Sequence, residues 1–124
     1  MKLYEYELKT SRIIMTSYEV KETEKAFTVQ KIPGRKNFIG YYCYTRIPKE
    51  LIGAVLCYAN SEIYYLSLNN DIEEASKALL DFLQNKKLPA IEAKIKSLLN
   101  DKELYCDIAE MLKKGEMEVT NNEL

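Results

Sequence analysis

The spacing of apolar residues changes once along this chain, near residue 70, and that change constrains the fold more than any other feature. Before it, apolar and polar residues alternate with a period of two, as along a strand with one buried face. After it they recur every three or four residues, as along amphipathic helices. Strands first and helices afterwards make an α+β protein. With 124 residues, folding buries roughly two-thirds of the extended chain's surface, enough for one core and too little for two.

Leu3 to Lys9 alternates, with Tyr4, Tyr6 and Leu8 on one side and Glu5, Glu7 and Lys9 on the other. Ile13 to Lys21 and Ala26 to Ile32 carry β-branched and aromatic residues around the polar connection Glu22-Thr23-Glu24-Lys25, the composition of a hairpin. Pro33-Gly34 marks a type II turn, because Pro presets φ and Gly accepts the positive φ that follows. A central strand is expected from Asn37 or Phe38 to Arg46. Pro48 then opens a helical turn that ends at Gly53 or continues to Leu56. Glu62 to Leu68 is read as the last strand.

Asn70 is the expected N-cap of a first helix, with Glu73 in the reciprocal position and Asp71, Glu73 and Glu74 suited to the helix dipole. That helix runs to about Asn85. Pro89 starts a second, with Ile91, Ile95, Leu98 and Leu99 facing inward. Asn100-Asp101 either breaks it before a third stripe of Leu104, Ile108, Met111 and Leu112, or lies within one bent helix ending at Gly115. The expected architecture is an antiparallel sheet of four to five strands followed by two or three C-terminal helices packed on one face. Residues 1–115 form a single domain and 116–124 a flexible acidic tail.

The chain has no His, which excludes Ser-His and Cys-His nucleophile pairs and His-ligated zinc. Cys43, Cys57 and Cys106 contain no CxxC and are expected to be buried thiols in a reducing compartment. Glu5 and Glu7 interrupt the apolar stretch that a signal peptide needs, and no apolar run approaches the roughly 20 residues that cross a bilayer. A cytoplasmic address without membrane partners is expected.

Charge is divided along the chain. Residues 1–49 carry ten basic and five acidic side chains, net +5, and residues 50–124 carry eight and fourteen, net −6. Between 25 and 49 there are six basic residues and no acid, interleaved with Phe27, Phe38, Tyr41, Tyr42 and Tyr44. Cations beside aromatic faces suit single-stranded nucleic acid, through Lys31, Arg35, Lys36, Arg46, Tyr42 and Tyr44. The net charge of −1 argues against that use and makes it the alternative. Asp71, Glu73, Glu74 and Asp81 are explained by the helix dipole without a metal. Glu5 and Glu7, about 7 Å apart by strand rise, are read as a solvated strand face. The adjacent pairs Tyr41-Tyr42 and Tyr64-Tyr65 put a ring on each side of their strands, which favours an aromatic surface for a protein partner or a second copy unless both faces are covered.

Two stretches carry a resemblance. Tyr18-Glu19-Val20-Lys21-Glu22-Thr23-Glu24-Lys25-Ala26-Phe27 resembles a hairpin of small proteins encoded by bacteriophages and mobile elements. Arg46-Ile47-Pro48-Lys49-Glu50-Leu51, then Tyr65-Leu66-Ser67-Leu68 and residues 71–83, resemble its continuation. The likeness covers about residues 1–85 and brings no active site. It implies a setting in which small non-catalytic proteins bind and block host or defence machinery, anti-CRISPR inhibitors among them. The expectation is therefore a non-enzymatic accessory protein without cofactor, acting by protein–protein contact, as an inhibitor of a host or defence nucleoprotein. Its acidic helical half, Asp71, Glu73, Glu74, Asp81, Asp101, Glu103, Asp107 and Glu110, imitates nucleic-acid charge toward a basic groove.

Overall fold

Alternation produces strands on both sides of the first polar connection, and they assemble into one sheet. In the computed structural model, which describes residues 1–35, 37–39, 45–58 and 62–122, the chain divides into two compact units, Met1–Leu83 and Gln84–Leu124. Among the described residues the first unit holds six strands: β1 (Lys2–Leu8), β2 (Ile13–Glu22), β3 (Ala26–Val29), β4 (Arg46–Pro48), β5 (Val55–Cys57) and β6 (Ile63–Ser67). They form a curled sheet in the order β4-β3-β2-β1-β6-β5, every pair antiparallel. The N-terminal strand thus lies inside the sheet, with Glu5 opposite Thr16 on one side and Leu66 on the other.

Both faces of this sheet are covered. Tyr6, Ile63 and Tyr65 pack with Ala75 and Leu79 of helix α1 (Ile72–Phe82), joined by half-buried Tyr4, Leu8 and Val55. The opposite face gathers Leu3, Tyr18, Val20, Phe27, Ile47 and Leu66 with Ile39, and half-buried Leu51, Ile52 and Leu56 close over it. Tyr64 and Tyr65 accordingly point to opposite sides and are both buried. The exposed aromatic surface expected from that pair is absent there; Tyr41 and Tyr42 lie outside the described residues.

Turns follow local chemistry. Arg35 N–H donates to Ile32 O at 3.2 Å across Pro33-Gly34, and Gly34 has φ +77°. Asn37 braces this turn: its Oδ1 accepts from Ile32 N–H at 2.8 Å, and its Nδ2 donates to Ile32 O at 2.9 Å. Beyond Pro48 a single 3-10 turn, Lys49–Leu51, ends before Gly53, whose φ is +81°.

The sheet has more strands than the four or five expected, because Val55–Cys57, within reach of the expected helical turn, pairs with β6 instead. Three residues of strand cost little when the neighbour is already formed, so tertiary pairing outweighs local preference. Of the strand expected from Asn37 or Phe38 to Arg46, residues 40–44 lie outside the described residues, and only the end appears, as β4.

The helices also differ from expectation. Residues 72–114 are helical throughout: α1, a π-helical turn at Leu83–Lys87, and α2 (Leu88–Lys114). Asn100 and Asp101 do not break α2, since neither residue costs more than about 0.7 kcal/mol inside a helix. Pro89 lacks the N–H that would bond Asn85 O, and its ring crowds that carbonyl. The π turn lies at that place and lets the helical path continue. α2 ends as expected at Gly115, φ +69°, with Gly115 N–H donating to Leu112 O and Glu116 N–H to Met111 O, a Schellman arrangement. α1 packs on the sheet, and in place of the two or three separate helices expected, α1 and α2 are joined through the π turn.

Candidate functional site

Three groups of residues have the chemistry for a site, and the geometry separates them. The first is the carboxylate pair on β1. Glu5 is 2 % exposed and Glu7 half-buried, so the solvated face expected for them is instead an interior one. Tyr18 Oη donates to Glu5 Oε1 at 3.3 Å, and Tyr64 Oη donates to Glu62 Oε2 at 3.0 Å. Burial above all, then the charge of Glu5 and its hydrogen bond, pushes the Tyr18 phenol well up from its ordinary value. Burial, then hydrogen bonds to Glu7 and Glu62, does the same for Tyr64. Both phenols keep their protons as donors to carboxylates, a role that fastens neighbouring strands together.

The second group is the basic and aromatic stretch. Lys31, Arg35 and Arg46 are exposed, while Lys36, Tyr42 and Tyr44 lie outside the described residues. Phe27 is in the core. Lys49 stands 5.7 Å from its ring centroid and pairs with Glu22 at 3.0 Å. Of the aromatic residues expected to interleave with the cations, Phe38 is at the surface.

The acids form the third group, and they fall into both units. Asp71, not Asn70, is the N-cap of α1; its Oδ1 accepts from Glu73 N–H at 3.0 Å and Glu74 N–H at 3.1 Å. Tyr6 Oη fixes this position, accepting from Asp71 N–H and donating to Asn69 O, each at 2.9 Å. Glu74 is half-buried and takes the Ser67 hydroxyl at 2.6 Å and Asn69 Nδ2 at 3.2 Å. Glu73 and Asp81 are exposed on α1. In the second unit, Glu103, Asp107 and Glu110 fall within about 60° of arc on α2, and Asp101 points elsewhere. The Glu110–Lys114 pair at 3.7 Å is exposed and screened by solvent.

What sequence reasoning missed is the surface of α2 itself. Every side chain from Leu88 to Lys114 is exposed except half-buried Ile108. Ile95, Leu98 and Leu99, expected to face inward, are 52 %, 59 % and 60 % exposed, and Tyr105 is 66 % exposed. Apolar residues at helical spacing mark one face of a helix without saying what, if anything, packs on it. Cys57 and Cys106 are likewise exposed, against the expected burial, and Cys43 lies outside the described residues. Among the described residues no group of His, Cys, Asp or Glu is arranged to hold a metal ion, and no helix is long and apolar enough to cross a membrane. The chain matches no family model, no curated protein and no solved structure.

Proposed function

We propose that the protein is a non-catalytic accessory protein that acts by docking on another polypeptide through α2. The observation that carries this reading is the exposure of large apolar side chains along that helix, Ile91, Ile95, Leu98, Leu99 and Tyr105 among them. Such stripes on a protein's surface mark contact sites. A second feature supports it: Glu103, Asp107 and Glu110 line one side of the same helix, about 6 Å and about 4.5 Å apart along its axis. A basic groove that holds nucleic acid would accept such a line. Occupying the groove would block the nucleoprotein, in keeping with the phage and mobile-element setting that the resemblance implies. The polar groups gathered in the sheet interior are engaged with one another and take no part in this reading.

A photoreactive amino acid at Tyr105, compared with one at exposed Thr28 on β3, tests the proposal in the cell of origin. Covalent adducts with another chain are expected from position 105 and not from position 28. No adduct from either, or equal adducts from both, would overturn it.

A further inference from the structure

We propose that the apolar stripe of α2 docks on a second copy of this chain, the two helices lying side by side and antiparallel, and that the line of Glu103, Asp107 and Glu110 is left for the nucleoprotein groove. The inference rests on α2 being a docking helix and goes on to name its occupant. Leu88, Ile91, Ile95 and Leu98 follow one another at spacings of three, four and three residues. Lys102, Tyr105, Ala109 and Leu112 continue the same alternation. An average of 3.5 residues is the repeat of a left-handed two-helix seam, in which each apolar side chain enters a gap on the facing helix. The seam side chains are exposed in the single chain, as an uncovered seam must be.

Lys102 is the polar member of the seam and selects the direction. Parallel pairing would set it against Lys102 of the other copy, two ammonium groups in one apolar layer. Antiparallel pairing about a two-fold axis near Asn100 sets it beside Leu98 of the other copy, one turn from that copy's Asp101. The same register places Ile95 against Tyr105, Leu88 against Leu112, and Ala109, the smallest seam residue, against Ile91. A single Lys at such a position is a known means of fixing register at a cost in strength.

Charge agrees. From Leu88 to Asn100 the helix carries Lys94 and Lys96 against Glu92, net +1; from Asp101 to Leu112 it carries Asp101, Glu103, Asp107 and Glu110 against Lys102, net −3. Antiparallel copies bring unlike halves together, and parallel copies bring −3 against −3. The lysine pairs Lys86-Lys87 and Lys113-Lys114 lie beyond the seam. The line of Glu103, Asp107 and Glu110 lies on another side of α2 and stays open in the pair.

A seam about 36 Å long and about 10 Å wide gives on the order of 400 Å² of footprint per copy. That is about half of the ~800 Å² per partner in a standard stable complex, so the pair is reversible and depends on concentration.

Sedimentation velocity of the full chain measures it. Monomer is expected at ~1 µM and dimer at ~500 µM, with weaker pairing in high salt. Leu98→Asp should abolish the dimer with the circular dichroism of the sheet unchanged. Lys94→Glu with Lys96→Glu should weaken pairing by roughly fivefold or more. With Cys43 and Cys57 replaced by Ser, a parallel dimer would crosslink through Cys106 under mild oxidation, whereas the antiparallel one should crosslink only when Glu92→Cys supplies a thiol opposite Cys106. A monomer at ~500 µM overturns the inference. If adducts from position 105 then identify a different protein, docking stands and self-pairing falls; if there are none, both fall.

Discussion

Glu5 is a carboxylate placed where an alternating strand should show its wet side. Its fate is decided by β6, a neighbour almost sixty residues away in sequence. Ile63 to Leu66 is apolar without interruption, the pattern of a strand buried on both faces. A strand hydrogen-bonded to it shares that burial. The alternation in Leu3 to Lys9 was legible; the pairing of β1 with β6 was not, because no local signal specifies a partner so distant in sequence. Tyr18 completes the arrangement by donating to Glu5. Tyr18→Phe should cost about 1–3 kcal/mol at pH 7, since it removes a donor from a buried carboxylate. The pH dependence has a definite sign. The Tyr18 and Tyr64 phenols are raised above the ordinary 10.0 in the fold, so the unfolded chain loses these protons first. Their contribution is complete below pH 10 and is lost as pH rises above it. In urea titrations, the decline of stability beyond pH 10 should be shallower in Tyr18→Phe by up to about 1.4 kcal/mol per pH unit, one proton's worth. Equal slopes would show that Tyr18 is not held neutral by the fold.

At the scale of elements, α1 begins one residue later than its sequence suggests. Asn70 and Asp71 are both good caps, and local preference does not choose between them. Tyr6 chooses, since its hydroxyl accepts from Asp71 N–H and bonds Asn69 O, tying β1 to the first turn of α1. Asp71→Ala should therefore destabilise the protein by about 1 kcal/mol, whereas Asn70→Ala should change it by less than about 0.5 kcal/mol. Chemical denaturation of both variants checks this, and a larger loss from Asn70→Ala would mean that the cap lies where the sequence alone put it. In α2 the apolar spacing and Gly115 as its end are legible, but the sequence leaves open whether Asn100-Asp101 breaks it or lies within one helix; the structure has one helix, Leu88–Lys114. With no Gly or Pro beside them and Leu98, Leu99, Lys102 and Glu103 around them, these two residues cost too little to interrupt a helix. The candidate site was thus half legible: the apolar stripe of α2 could be read from its spacing, and its exposure could not.

For the molecule as a whole, the two units differ in what holds them. Both clusters of buried residues belong to Met1–Leu83, whereas α2 has no buried residue. Helices derive most of their stability from packing of an apolar face, and isolated ones are marginal in water. The helical state of α2 should therefore strengthen when its seam is covered, by an amount set by mass action. Hydrogen exchange on the full chain separates the units. Amides of β1 and β6 should exchange at rates independent of protein concentration. Amides from Ile91 to Leu98 should exchange rapidly at ~5 µM and slow severalfold or more at ~500 µM, with the contrast reduced in high salt. Slow exchange in α2 already at the lower concentration would mean that the helix is sustained within one chain, and its exposed seam would lose its claim as a docking surface.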